Sequence, residues 1–191
     1  MIFDAFESIK YGDEKIEVVD IIRDYRSYID RVVQNYTLMD FTIVGDPTPE
    51  YTAYQLYGNP NLYWIFLYLN SWIVDPFHGW VKSQDAVFET AKQKYSKMGG
   101  IEQVLYHMDH NFETYYDLVE YPENSEIWYH KGDKKHSSIQ HVGYLHPVSV
   151  YEHEEMENDK KRVIKIIKQS DINSFLNALG REIDRSIKGG V

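Results

Sequence analysis

Apolar side chains recur at Val18, Ile22, Tyr25, Ile29, Val32 and Tyr36, in steps of three and four residues. That spacing marks one face of a helix and predicts a helix over residues 17–36. Asp20, Arg23, Asp24, Arg26, Asp30 and Arg31 fall off the seam, as a solvated face requires. The pattern then shortens to a β-type run at 41–44, a Gly45-Asp46 turn, and two helical stretches divided by Tyr57-Gly58-Asn59-Pro60. Thr48 is placed to cap the first of these, with Pro49 at its first position and Gly58 as the left-handed residue that closes it. Asn59 and Pro60 repeat the cap-and-proline device. The stretch they open, residues 62–69, is apolar nearly all round, so other parts of the chain or partner chains must cover it.

Ser83 opens a further helix with Val87, Ala91, Tyr95 and Met98 on one face, stopped by Gly99-Gly100. From 101 to 130 the texture is β, with runs at 104–106, 115–119 and 127–129 between turn-rich stretches, as in a small antiparallel meander. Residues 131–148 are polar, carry Gly132, Gly143 and Pro147, and read as a loop. Ser149 with Glu152 forms a capping box ahead of an acidic helix reaching Asp159. Residues 163–167 are rich in β-branched side chains and read as a strand. Ser170 or Asp171 then caps a last helix with Ile172, Phe175, Leu176 and Leu179 on one face, which Gly180 is expected to weaken and which frays at 189–191.

Charge and composition narrow the function classes. Twenty Lys and Arg against 30 Asp and Glu give a net charge of −10, which repels phosphate backbones and disfavours nucleic acid as a partner. The local exception is the basic cluster Lys160, Lys161, Arg162, Lys165 and Lys168. With the acidic helix before it, this cluster reads equally as helix-end charge bias or as a bipolar docking surface. The absence of cysteine excludes disulfides, thiolate metal sites and a thiol nucleophile. The longest apolar run, 62–69, falls far short of the roughly 18 residues that span a bilayer. The start, MIFDAFESIK, carries acids where a signal peptide needs bases, so a soluble protein made in a cytoplasm is expected. Seventeen Tyr, 4 Trp and 8 Phe make the chain aromatic-rich, a composition favoured at protein interfaces.

No catalytic pattern emerges. The eight histidines are scattered; His107 and His110 lie three apart in a strand-and-turn segment, and His136, His141 and His146 sit in the predicted loop without carboxylate partners. They read as surface histidines rather than metal ligands. Glu123, Glu126 and Asp133 near Trp128 and Tyr129 could suit a glycosidase, but acids are common in the loops of so charged a chain. Nucleophile-elbow, P-loop, zincin and dinucleotide fingerprints are absent. Catalytic, metal and cofactor sites are therefore not expected, nor is a small-molecule substrate.

The order strand, Gly-Asp turn, helix closing on Tyr-Gly, helix closing on Asn, and then a strand after Asp75-Pro76-Phe77-His78-Gly79, resembles a LysM domain. Such a resemblance implies a glycan-binding alternative, with peptidoglycan as ligand. Here Pro47 stands where the sugar-binding loop usually has threonine, and Pro47 and Pro49 stiffen that loop.

A broader resemblance spans the chain in order. It is carried by Tyr57-Gly58-Asn59-Pro60-Asn61-Leu62-Tyr63-Trp64, by Gln93-Lys94-Tyr95 with Gly99-Gly100, by Trp128-Tyr129-His130-Lys131-Gly132-Asp133-Lys134, and by Ile164-Lys165-Ile166-Ile167 with Ser170-Asp171-Ile172-Asn173-Ser174-Phe175. These blocks resemble the baseplate wedge subunits of T-even-type contractile-tailed phages, the gene-product-fifty-three family. The resemblance implies a non-enzymatic virion protein of the tail baseplate, assembled in the host cytoplasm. It implies as partners the central helical-bundle wedge subunits, the lysozyme-like sheath-initiating wedge protein, and the hub around which neighbouring wedges close.

The expectation is thus an α+β protein in four segments. An N-terminal helical segment (1–40) precedes a LysM-like βααβ module (41–82), a helix with a small antiparallel β region (83–148), and a C-terminal helix-strand-helix arm (149–191). Binding energy is expected in aromatic and aliphatic anchors at Tyr57, Tyr63, Trp64, Trp72, Phe175 and Leu176.

Overall fold

The computed structural model describes residues 8–11, 16–19, 25–75, 79–97 and 99–189. In chain order the elements are β1 (Ser8–Tyr11), β2 (Ile16–Val19), α1 (Arg26–Val33), β3 (Leu38–Thr42), α2 (Pro49–Tyr57), a 3-10 turn (Pro60–Tyr63) and α3 (Trp64–Leu69). They continue as α4 (Gln84–Tyr95), β4 (Val104–Met108), β5 (Thr114–Tyr115), β6 (Leu118–Glu120), β7 (Ile127–His130), β8 (Ile139–Val142), β9 (His146–Ser149) and α5 (Val150–Lys160). The chain closes with β10 (Val163–Ile167), a second 3-10 turn (Gln169–Asp171) and α6 (Ile172–Gly189). The α+β class holds. The chain divides into two compact units, residues 1–81 with 161–191, and residues 82–160.

In the first unit the caps read from sequence are in place. The Thr48 hydroxyl accepts the Tyr51 N–H at 3.2 Å, and Gly58 closes α2 at φ 69°. Asn59 accepts from Asn61 N–H at 3.0 Å to open the 3-10 turn. The predicted helix over 17–36 is shorter. It starts at Arg26, while Ile16–Val19 pairs antiparallel with Ser8–Tyr11, and Ile22 lies outside the described residues. Three of the four residues Ile16, Glu17, Val18 and Val19 are β-branched, and such side chains favour the pleated surface when a partner strand is available.

The strand expected after α3 is not found among the described residues of 70–82. The partner of β3 is β10, antiparallel, with Asp40 opposite Lys165 and Leu38 opposite Ile167. The βααβ order is therefore completed by a strand from beyond residue 160, not within 41–82. The apolar 62–69 stretch is covered inside this unit. Ile65 and Phe66 are buried in one core with Ile43, Ile164, Ile167 and Phe175. Helix α6 runs through Gly180 to Gly189, contrary to the expected weakening there. Ile172, Phe175, Leu179 and Ile183 recur along one buried face, and that burial outweighs the roughly 1 kcal/mol cost of an interior glycine.

In the second unit the Ser83 hydroxyl caps α4, and α4 ends ahead of Gly99 and Gly100, both at positive φ. Helices α4 and α5 meet through Phe88 on Tyr151 at 5.7 Å and the Lys94–Glu154 ion pair at 2.6 Å. The β region forms two three-stranded antiparallel sheets, ordered β5-β4-β9 and β6-β7-β8. Residues 131–148 are thus not all loop, since β8 and β9 lie within them. Polar side chains obscured these two strands, whose backbone groups are satisfied by pairing with β7 and β4. The Ser149 hydroxyl accepts the Glu152 N–H at 3.2 Å, but the Glu152 carboxylate pairs with His146 at 2.7 Å, so only half of the capping box forms.

Candidate partner interface

The six expected anchors separate by burial. Tyr57 ends α2, donates its hydroxyl to the Ile167 carbonyl at 2.9 Å, and stacks on Phe66 at 5.7 Å. Burial pushes its phenol up to about 12. Trp64 is half-buried and lies on Phe175 at 6.4 Å. Phe175, 1% exposed, also takes the Tyr36 ring edge-on at 5.6 Å, while Leu176 packs half-buried against the same core. Phe175 therefore fastens α6 to the interior and has no face to offer a partner. Tyr63 is half-buried and forms one wall of a groove of about 320 Å³ with Asp46, Pro47, Pro49 and Trp80. The Trp80 indole N–H closes that wall by donating to the Pro47 carbonyl at 2.8 Å.

Trp72 differs from the other five. It is 43% exposed, two residues from Val74 at 91%. Both side chains leave apolar area open to water.

The second unit carries exposed aromatic side chains that the sequence pattern did not single out. Phe112 is 76% exposed at the tip between β4 and β5, with φ at 65°. A bulky residue in the left-handed region is a backbone outlier, and the surrounding hydrogen bonds must hold it there. Asp109 does this. Its Oδ1 accepts the N–H groups of Asn111 and Glu113, each at 2.9 Å, and its own N–H donates to the Glu113 carbonyl at 3.1 Å. Burial alone would raise the Asp109 pKa, but the N–H groups of Glu113 and Asn111 outweigh it and hold the carboxyl below its usual range. The signal in the sequence was Asp109 two residues before Asn111, the pattern of an Asx turn. Tyr116, Tyr121 and Tyr144 are exposed in the same unit.

The histidines do not all lie on the surface as expected. His107 is half-buried against Trp128 at 4.7 Å, and burial, aided by the Lys131 charge, lowers its pKa. His136 stacks on Tyr121 at 3.9 Å, and His146 pairs with Glu152. Among the described residues no group of three or more acidic or histidine side chains is placed to hold a metal ion, and no helix is long and apolar enough to cross a membrane.

Two comparisons with known proteins agree. The family described as "Base plate wedge protein 53" matches residues 1–181. The chain is also 41% identical over 193 residues to "Baseplate wedge protein gp53" of Enterobacteria phage T4, an alignment covering 97% of each protein. Both matches span most of the chain. This chain belongs to the base plate wedge protein 53 family.

Proposed function

We propose that this protein is a structural subunit of a contractile-tail baseplate wedge, acting by binding rather than by catalysis. The observation that carries this reading is the end-to-end relationship to the wedge protein of phage T4, at 41% identity over 97% of both chains. In finer terms, the subunit clamps the central helical bundle of its wedge and contacts the lysozyme-like sheath-initiating protein. It also joins neighbouring wedges around the hub, in virions assembled in the host cytoplasm. The exposed apolar side chains support this reading: Trp72 and Val74 in the first unit, and Phe112, Tyr116 and Tyr144 in the second. Aromatic anchors of this kind dominate binding energy at protein interfaces, while an acidic rim mainly sets specificity.

Co-expression with the wedge proteins, followed by size exclusion and mass photometry, tests the proposal. Stable co-migration at a defined stoichiometry is the expected result. A protein that stays alone on the column yet pellets with insoluble peptidoglycan would overturn it in favour of glycan binding.

A further inference from the structure

Helices α1 and α6 leave a groove of about 360 Å³ along their seam, lined by Arg31, Asn35, Tyr36, Arg181, Glu182 and Arg185 among others. Arg181 and Arg185 stand four residues apart and so share one side of α6. The single carboxylate among the described lining residues, Glu182, is taken by Arg31, whose Nε donates to it at 2.7 Å. Arg181 and Arg185 make no ion pair among the described residues. Three guanidinium groups against one carboxylate make the groove positive, on a chain whose net charge is −10.

Helix chemistry does not account for this. Like charges at that spacing repel and destabilise a helix slightly. The macrodipole favours bases only within the last turn, and Arg181 lies two turns before the end of α6 at Gly189. Val32, Tyr36 and Ala178 add an apolar wall beside the guanidinium groups. A planar guanidinium fork matches a carboxylate through two parallel N–H···O bonds, and paired forks beside an apolar wall fit an amphipathic acidic segment. Phosphate offers the same oxygens, but a nucleic acid would meet the repulsion of the remaining surface.

We infer that the α1–α6 groove is the docking site for a carboxylate-rich segment of another baseplate protein, which Arg181 and Arg185 bind directly. The inference rests on the wedge reading for the identity of its partner, but the groove's chemistry can be tested apart from it.

The full chain is compared with Arg181→Glu/Arg185→Glu and Arg181→Gln/Arg185→Gln in the wedge co-migration assay, with circular dichroism on each. A fluorescein-labelled oligoglutamate peptide and a duplex DNA oligonucleotide serve as direct probes by anisotropy. The glutamate variant is expected to be excluded from the wedge. The glutamine variant should bind both wedge and peptide at least about tenfold more weakly, with the wild-type peptide affinity falling as salt rises. If the glutamate variant misfolds, the glutamine variant decides alone. Wild-type incorporation of either folded variant, or tighter binding of DNA than of the peptide, overturns the inference. If the wild-type chain itself does not co-migrate, the wedge reading fails, while peptide binding and its loss in the glutamine variant still judge the groove.

Discussion

Asn70 and Lys165 meet as residues of adjacent strands meet. The Asn70 Oδ1 accepts the Lys165 N–H at 2.7 Å, and the Asn70 Nδ2 donates to the Lys165 carbonyl at 2.9 Å. One edge of β10 is occupied by β3, and the other is closed at this residue by a side-chain amide. Asn70 is itself 3% exposed and also donates to the Phe66 carbonyl at 2.8 Å, tying the end of α3 to the sheet. Asn70→Leu fits the space approximately but leaves the Lys165 N–H and carbonyl without partners. Stability should fall by about 2–3 kcal/mol, read from urea unfolding midpoints. A loss below about 0.5 kcal/mol would show that water replaces the amide.

Tyr57 makes a related bond two residues further along β10, to the Ile167 carbonyl. Removing it in Tyr57→Phe should cost about 1 kcal/mol at neutral pH. The folded-state pKa, about 12, lies above the ordinary phenol value of 10.0. The protonated phenol therefore contributes stability that is whole below the ordinary value and is lost as pH rises toward 12. Wild-type stability should decline across that alkaline window more steeply than that of Tyr57→Phe, in parallel urea titrations.

Phe175 and Trp72 should separate folding from binding. Phe175→Ala opens a cavity in a fully buried site and should cost about 3–5 kcal/mol, so its loss from the wedge would follow from unfolding. Trp72→Ala should change stability by less than about 0.5 kcal/mol while weakening wedge association by about 2 kcal/mol. Thermal denaturation and co-migration measured on the same samples distinguish the two. A destabilised Trp72→Ala would return Trp72 to the core.

The Phe112 tip carries the opposite trade. Phe112→Gly relieves the left-handed backbone, so stability should hold or rise by up to about 1 kcal/mol while wedge association weakens. Unchanged association would remove Phe112 from the interface.

Asp109 gives that tip an acid-side pH dependence. Its folded-state pKa is depressed, so its contribution is present above the ordinary value of 3.8 and is lost as pH falls through the lower folded value. Protection of the Asn111 and Glu113 amides, corrected for the intrinsic pH dependence of exchange, should fall across that window in the wild type. In Asp109→Ala, which removes the acceptor, protection should be low already at neutral pH and unchanged by acid.

What the sequence made legible was local chemistry. Thr48, Ser83 and Ser149 each cap a helix because a hydroxyl three residues ahead of a free N–H needs no tertiary context. Gly58 and the β10 run are legible for the same reason. Strands β8 and β9 were hidden because Gln140, His141 and Pro147 suit a loop equally well, and only pairing with β7 and β4 decides between them. The pairing of β3 with β10 spans more than a hundred residues, so no local pattern could exclude a closing strand near residue 80. The anchors divide on the same line. An aromatic side chain reads alike whether it faces Phe66 or water, so the pattern of the chain does not separate buried Phe175 from exposed Phe112.

Lys82 and Asn158, at the start and near the end of the second unit, are bound to each other. The Lys82 N–H donates to Asn158 Oδ1 at 2.9 Å, and Asn158 Nδ2 donates to the Lys82 carbonyl at 3.0 Å. The unit is one continuous stretch of chain, whereas the first unit is interrupted and needs β10 to finish its sheet. A ribosome therefore delivers residues 82–160 complete while β3 still lacks its partner strand and the core still lacks Phe175. Synthesis thus makes the middle of the chain self-sufficient first, whereas the beginning has its partner strand only once the end has been made.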